Sequence, residues 1–290
     1  AQLAAESLGM PRDDLRLVNA DTALTPDSGI QGASRSTYWV GGAVVKAAEV
    51  LSDRIRETAA ELMDHNPDDL HLTSGAVVAP SGVLPLDQVA AEMDRIGQSR
   101  KVRGVFAPGL GPHFCEETRP EYLPFFVAGA HVAEVAVNVE TGQVKVERIV
   151  AVHDVGRAIN PQSVQGQVEG AILMSLGAAL MEEYIPEVST GFADYYLPTI
   201  RSAPEIEVIL VEVPSRWGPL GAKGVGEGAT LPTAPAILNG IYHATGARIR
   251  QLPATPERVL FHLPGRLSRT LPSHHHQRKQ NQAHGGRQAG

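Results

Sequence analysis

Three segments of the chain set glycines beside hydroxyl, amide or carboxylate side chains, each close to a stretch with helical periodicity. The first is Gly32-Ala33-Ser34-Arg35-Ser36-Thr37. Main-chain N–H groups at a helix start, together with the Ser34 and Ser36 hydroxyls, suit phosphate or another anion. The plainer account is an N-cap, with Ser34 or Ser36 closing the first turn of the helix. The second is Gly166-Gln167-Val168-Glu169-Gly170, where Gln167 offers an amide to a ligand and Glu169 can pair with a base. A polar helix face is the alternative. The third, Gly221-Ala222-Lys223-Gly224-Val225-Gly226-Glu227-Gly228, holds one carboxylate in a run of glycines. Glycines permit close approach of main chain to a ligand, and a desolvated carboxylate is a candidate general base. A solvated loop glutamate is the other reading. The order is not that of a phosphate-binding loop, because Lys223 precedes the inner glycines.

Other chemistries find little support. His131 and Glu134 lie three apart on an expected strand, so they face opposite sides and do not ligate one metal together. His113 and Cys115 are two potential zinc ligands without a second pair, and His274-His275-His276 sits in a polar tail. No metal ligand is therefore assigned to a side chain. A single cysteine excludes an intrachain disulfide and a four-thiolate iron–sulfur centre, and a reducing, cytoplasmic setting is expected. No G-x-S-x-G nucleophile turn is present.

Positioning those segments requires a framework that the hydrophobic pattern outlines. The opening Ala1 to Gly9 reads as the last turns of an amphipathic helix stopped by Gly9, and Leu15–Val18 as a short strand. From Ser36 to Met63, Val40, Val44, Ala47, Leu51, Ile55, Ala59 and Leu62 recur at helical spacing. A hairpin around Pro80-Ser81-Gly82 and a helix from Leu86 to Ile96 follow. Phe125–Val139 and Gln143–His153 alternate about a Glu140-Thr141-Gly142 turn, which predicts a second hairpin. Gln162–Leu180 predicts a helix, and its Gly166, Gly170 and Gly177, which weaken a helix by roughly 1 kcal/mol each, suggest close approach of backbone or ligand. Glu205–Val213 predicts a strand and Leu231–Thr245 a helix. Irregular alternation of strands and helices, with hairpins, predicts an α+β fold of mixed sheets and packed helices.

The chain has 290 residues, 43% of them hydrophobic and 20% charged, which bounds it to one large or two modest soluble domains. No apolar run reaches the ~20 residues of a membrane span. A net charge of −7 argues against a nucleic-acid partner. Residues 1–264 are expected to form one region, or two subdomains meeting near 100–125. Residues 265–290 have few apolar residues to bury and are expected to be a disordered basic tail. The chain opens within a helical pattern, so a longer parent chain is expected.

The order Asp21-Thr-Ala-Leu-Thr-Pro-Asp-Ser-Gly29, Gly32 to Thr37, His153-Asp-Val-Gly-Arg-Ala-Ile-Asn-Pro161, Gly166 to Gly170 and Gly224 to Glu227 resembles the molybdenum-binding subunit of the xanthine dehydrogenase and aldehyde oxidase family. Ala244–Arg250 and Leu252–Glu257 resemble the family's C-terminal stretch, and the likeness runs from about Ala1 to Leu263. It implies the C-terminal, molybdopterin-binding half of the large subunit, with the N-terminal half a missing partner. It implies molybdenum on a molybdopterin cofactor, in plain or cytosine dinucleotide form, with [2Fe–2S] and FAD on partner iron–sulfur and FAD subunits. By match of motif, Glu227 would be the catalytic base, and Gln167 would bond the molybdenum oxo group or the pterin. Gly32, Ala33, Ser34, Arg35, Ser36, Lys223, Gly224 and Gly226 would bind the cofactor. The family usually carries proline after this glutamate, where this chain has Gly228. The implied reaction is hydroxylation of an N-heterocycle such as a purine, or of an aldehyde, with water as oxygen source; carbon monoxide or an aromatic acyl-CoA is the alternative substrate class. A catalytically silent remnant serving as a binding or assembly module is the rival reading.

Overall fold

A computed structural model describes residues 1–107 and 126–265. Residues 266–290 of the expected tail, His113 and Cys115 lie outside the described residues. The chain divides into two compact units: residues 1–130, 152–169 and 208–229 form one, and 131–151, 170–207 and 230–290 the other. In chain order the elements are α1 (Gln2–Leu8), α2 (Gly41–Met63), β1 (His71–Thr73), β2 (Ala76–Ala79), β3 (Gly82–Pro85), α3 (Leu86–Arg95), β4 (Gly129–Val137), β5 (Val144–Asp154), α4 (Pro161–Leu180), β6 (Glu205–Val211), α5 (Thr230–Thr245) and α6 (Pro256–His262). Two three-stranded sheets, β1-β2-β3 and β4-β5-β6, and these helices make an α+β architecture. Among the described residues, no helix is long and apolar enough to cross a membrane.

In the first unit, helix α2 forms as expected, but its buried face, Val45, Ala48, Ser52, Ile55 and Ala59, shares only Ile55 and Ala59 with the expected one; Val40, Val44, Ala47 and Leu51 are half-buried and Leu62 is exposed. Its Ile55, Ala59 and Ala60 meet Leu70, Leu72, Val77, Val89 and Met93 in one core, shared with α3 and the antiparallel sheet β1-β2-β3. β2 and β3 are the expected hairpin; β1 is an addition, too short for its pattern to stand out. The expected strand at Leu15–Val18 does not form. Leu17 and Val18 are both exposed, and alternation makes a strand only where a neighbour pairs with it and covers one face. Two glycines let chain segments close on α2. A Cβ at Gly104 would stand 1.9 Å from the Ala43 carbonyl oxygen, and one at Gly42 would stand 2.5 Å from the Phe106 ring.

In the second unit, β4 and β5 are joined by a tight turn in which Asn138 N–H donates to the Gln143 oxygen at 2.9 Å. A Cβ at Gly142 of that turn would lie 2.1 Å from the Pro256 oxygen, so α6 packs directly on it. Helix α6, unpredicted, starts where the Thr255 hydroxyl accepts the Arg258 N–H at 3.4 Å. The Arg258 guanidinium, nearly buried, donates to the Pro253 oxygen at 2.7 Å and pairs with Glu183 at 2.5 Å. Ile237 and Ile241 carry the buried face of α5. His131 Nδ1 lies 2.9 Å from the Thr233 hydroxyl, while Glu134 pairs with Arg148 at 3.3 Å, so the two have different partners. Of the glycines of α4, a Cβ at Gly177 would meet Glu182 and Pro198. At Gly166 and Gly170, apart from the helix's own backbone and the adjacent residues, nothing described lies within 4 Å of such a Cβ, so among the described residues no other chain segment approaches there.

Candidate functional site

The first unit contains a cleft of about 560 Å³ to which all three glycine-containing segments contribute. The first arrives with unusual backbone. Ala33 and Ser34 both take left-handed conformations, φ +55° and +54°, and residues Ser36–Val40 wind as a π-turn before α2 begins. Left-handed backbone disfavours residues that carry a Cβ, and π-turns recur where a side chain must be re-aimed. Neither serine caps the helix: the residues preceding the π-turn and α2, Arg35 and Val40, make no side-chain cap. The Ser34 hydroxyl instead accepts the main-chain N–H of Glu227 at 2.9 Å, across 193 residues of sequence. Ser36 donates to the Gln31 amide oxygen. The capping account fails because these hydroxyls are turned away from the helix end and toward the cleft.

Helix α4 brings the second segment. Asn160 caps it, accepting the Ser163 N–H at 2.9 Å, with Pro161 in the first helical position. Gln167 is exposed on this helix. Glu169 accepts from the Gln165 amide at 2.7 Å, an amide where a basic partner was expected. Arg157 pairs with Glu6 at 2.5 Å, and Asn160 Nδ2 reaches Gln2 at 3.4 Å, so α1 is tied to the same wall. Arg157, Asn160 and Ser163 line the cleft and were not assigned from the sequence, although all three fall in or beside the motif that ends at Pro161. Their signal was polar side chains crowded at a helix start.

The third segment is held by the end of β5. Lys223 Nζ pairs with Asp154 Oδ2 at 2.5 Å, and both side chains are largely buried. Asp154 Oδ1 also accepts N–H groups from Gly156 at 3.0 Å and Val213 at 3.3 Å. Burial pushes the Asp154 carboxyl up, but the Lys223 ammonium and these two N–H groups outweigh it and hold the group below the usual carboxylate value. Its neighbour His153 is buried, and burial alone holds its imidazole below the ordinary value. Gly226 lies between Gln167 and Ser34: a Cβ there would sit 3.4 Å from Gln167 Oε1 and 3.5 Å from Ser34 Oγ. Gly224 is buried, whereas Glu227 is exposed. The desolvation expected for this carboxylate is not supplied by the described residues, since its neighbours Gly226 and Gly228 bring no side chains to cover it. Arg35 lines the cleft with Nε buried, just after the Ala33–Ser34 turn.

A family model described as a molybdopterin cofactor-binding domain matches residues 1–204. The chain belongs to this family. Its relatives include the 6-hydroxypseudooxynicotine dehydrogenase complex subunit gamma of Paenarthrobacter nicotinovorans, 32% identical over 91% of this chain and 34% of that protein. The xanthine dehydrogenase molybdenum-binding subunit of Escherichia coli O157:H7 is 30% identical, over 91% of this chain and 36% of that one. Among solved structures, the aldehyde oxidoreductase of Desulfovibrio desulfuricans matches with a TM-score of 0.73 and 33% identity, over 91% of this chain and 27% of that one. The chain thus spans about a third of the length of the relatives it matches.

The cleft suits a molybdopterin cofactor on its own chemistry. Its lining offers amides (Gln2, Gln31, Asn160, Gln167), hydroxyls (Ser34, Ser36, Thr37, Ser163) and the guanidinium groups of Arg35 and Arg157, with Lys223 already paired to Asp154 and Glu227 the one acid among the lining residues. Such a set binds a heterocycle rich in hydrogen-bonding edges that carries phosphate. The space kept open by Gly226 is a cradle that a side chain would fill. Among the described residues no cluster of three His, Cys, Asp or Glu stands ready to hold a metal directly.

Proposed function

We propose that this chain forms one wall of the molybdenum site of an oxidoreductase that hydroxylates an N-heterocycle or an aldehyde with water as the oxygen source. The observation that carries the reading is the convergence of Ser34, Gln167 and Gly226 beside Glu227 in a cleft rich in donors. When bound, the cofactor supplies the two-electron chemistry that oxidises the substrate carbon. The chain's residues bind, orient and move a proton. Gln167 and the Ser34 and Ser36 hydroxyls bond the polar edges of the cofactor, Arg35 and Arg157 neutralise its phosphate, and Gly32, Ala33, Gly224 and Gly226 let main chain approach it. The Glu227 carboxylate accepts the proton released as water becomes the nucleophile.

Relatives named for 6-hydroxypseudooxynicotine and for xanthine favour an N-heterocycle, and one named for aldehydes keeps that class in view. [2Fe–2S] and FAD on partner subunits would take up the two electrons released by the oxidation, and a polypeptide equivalent to the remaining length of the relatives would complete the cofactor site. A cytosine dinucleotide extension of the pterin would meet the same basic side chains. The test is turnover of the purified complex in ¹⁸O-labelled water with a panel of N-heterocycles and aldehydes, alongside metal analysis. Label in the product with molybdenum bound is the expected result. A complex without molybdenum, or a product labelled only from ¹⁸O₂, would overturn the reading.

A further inference from the structure

The segment that ends in Glu227 is poorly restrained by its own composition, since two of the three residues between Lys223 and Glu227 are glycines. Glycine loses more conformational freedom on ordering than any other residue, so a carboxylate at the end of such a segment keeps its place only if both ends are anchored. The far anchor is the Ser34 hydroxyl on the Glu227 N–H, at 2.9 Å. The near anchor is built more heavily. Lys223 N–H donates to the Val155 oxygen at 3.0 Å, Arg157 N–H to the Gly221 oxygen at 2.9 Å, and Gly156 bridges to Ala222. The fit is tight enough that a Cβ at Gly156, where φ is +65°, would stand 2.3 Å from the Gly221 oxygen. Over this tie lies the Asp154–Lys223 pair, with side chains only 16% and 11% exposed.

Such a pair is weak evidence for stability, because withdrawing two charges from water offsets most of their attraction. Its geometric effect is stronger: with Asp154 fixed by two main-chain N–H groups, the ammonium, and with it the start of the glycine segment, has one low-energy place. We propose that Asp154 is a positioning residue, which through Lys223 sets the Gly224–Glu227 segment and so the place of the Glu227 carboxylate. Lys223 then serves the loop and not the cofactor. This rests on Glu227 being the base.

The experiment compares the full chain with a D154N/K223M double variant and with Lys223→Arg. Asn keeps an oxygen for the Gly156 and Val213 N–H groups, and Met keeps the lysine stem, so the charges alone are removed. Hydrogen exchange is expected to speed about tenfold or more at residues 224–227 in the double variant while α2 and β1–β3 stay within about twofold. Lys223→Arg, which can still pair with Asp154, is expected to retain the protection. In the molybdenum-loaded complex the double variant should lose about tenfold in kcat with KM and metal content near those of the parent. Exchange at 224–227 unchanged, protection lost with Arg, kcat unchanged in a loosened loop, or molybdenum lost in step with activity would each overturn the proposal, the last by making Lys223 a cofactor contact. Should Glu227→Gln prove as active as the parent, the base reading fails by itself, and the exchange result still reports whether the pair orders the loop.

Discussion

Two regions of the first unit are built by opposite rules. Around α2, α3 and β1-β2-β3, the core residues Ala59, Leu70, Val77, Val89 and Met93 are almost wholly buried, in regular elements. In the cleft, consecutive non-glycine residues sit at positive φ, a π-turn replaces the first helical turn, and a buried ion pair anchors a glycine segment. Apolar burial is non-directional and tolerates exchange among residues of similar volume. The cleft depends on directional bonds, Ser34 to Glu227 and Asp154 to Lys223, that few other residue types reproduce at those positions. The first region supplies stability; the second holds polar groups in places that stability alone would not select.

The contrast is broken most severely by Glu227→Gln. In the molybdenum-loaded complex, turnover should fall ~10²–10⁴-fold, about 2.7–5.5 kcal/mol of barrier, with metal content retained and stability changed by less than ~0.5 kcal/mol. Turnover within twofold of the parent at equal molybdenum would assign Glu227 to a solvated loop. The mirror-image variant is Met93→Ala, expected to destabilise by ~2–5 kcal/mol in urea unfolding because the buried side chain leaves a cavity among Val77, Val89 and Leu70.

A single substitution made in both regions sharpens the comparison. Ala59→Gly, in the buried face of α2, should destabilise by ~1–2 kcal/mol through lost helix propensity and lost methyl burial. Ala33→Gly should be neutral or stabilising by up to ~1 kcal/mol, since glycine relieves the left-handed strain at φ +55°. Equal losses at the two positions would show that Ala33 is unstrained.

The smallest effect is on pH dependence. His153 is buried with its imidazole held below the ordinary value, so the unfolded chain binds its proton first as pH falls. Its contribution is therefore fully present above the unfolded value of ~6.5 and is lost as pH drops through that value toward the folded one, with a slope of at most ~1.4 kcal/mol per pH unit for one proton. Urea titrations between pH 7 and 5 should show a shallower slope in His153→Gln than in the parent. An identical slope would assign the pH dependence to other groups.

Much of the framework was legible in the sequence. Helices α2, α3, α4 and α5 and the hairpins β2-β3 and β4-β5 follow from periodicity, because burying one face of a helix or strand imposes its repeat on residues close in sequence. The misses are informative in the same terms. Leu15–Val18 alternates but finds no partner, and β1 and α6 are too short for a repeat to register. In the cleft, all three glycine-containing segments were legible as composition, and the structure brings them to one place. Their partners within the chain were not: a cofactor contact or an N-cap was expected for Ser34, a base or a polar helix face for Glu169 and a cofactor contact for Lys223, and the hydrogen-bond partners found are Glu227, Gln165 and Asp154.

By itself the sequence determined the α+β class, the amphipathic elements and the family, for these depend on patterns that span a few turns of chain or on motifs in a fixed order. Only the tertiary structure decided that the Ser34 hydroxyl faces Glu227 and not a helix end, that Lys223 belongs to Asp154, and that Gly166 and Gly170 face open space while Gly177 is packed. The reason is geometric: a side chain's partner is set by where distant segments meet, and residues 34 and 227 meet only after the whole unit has closed around them.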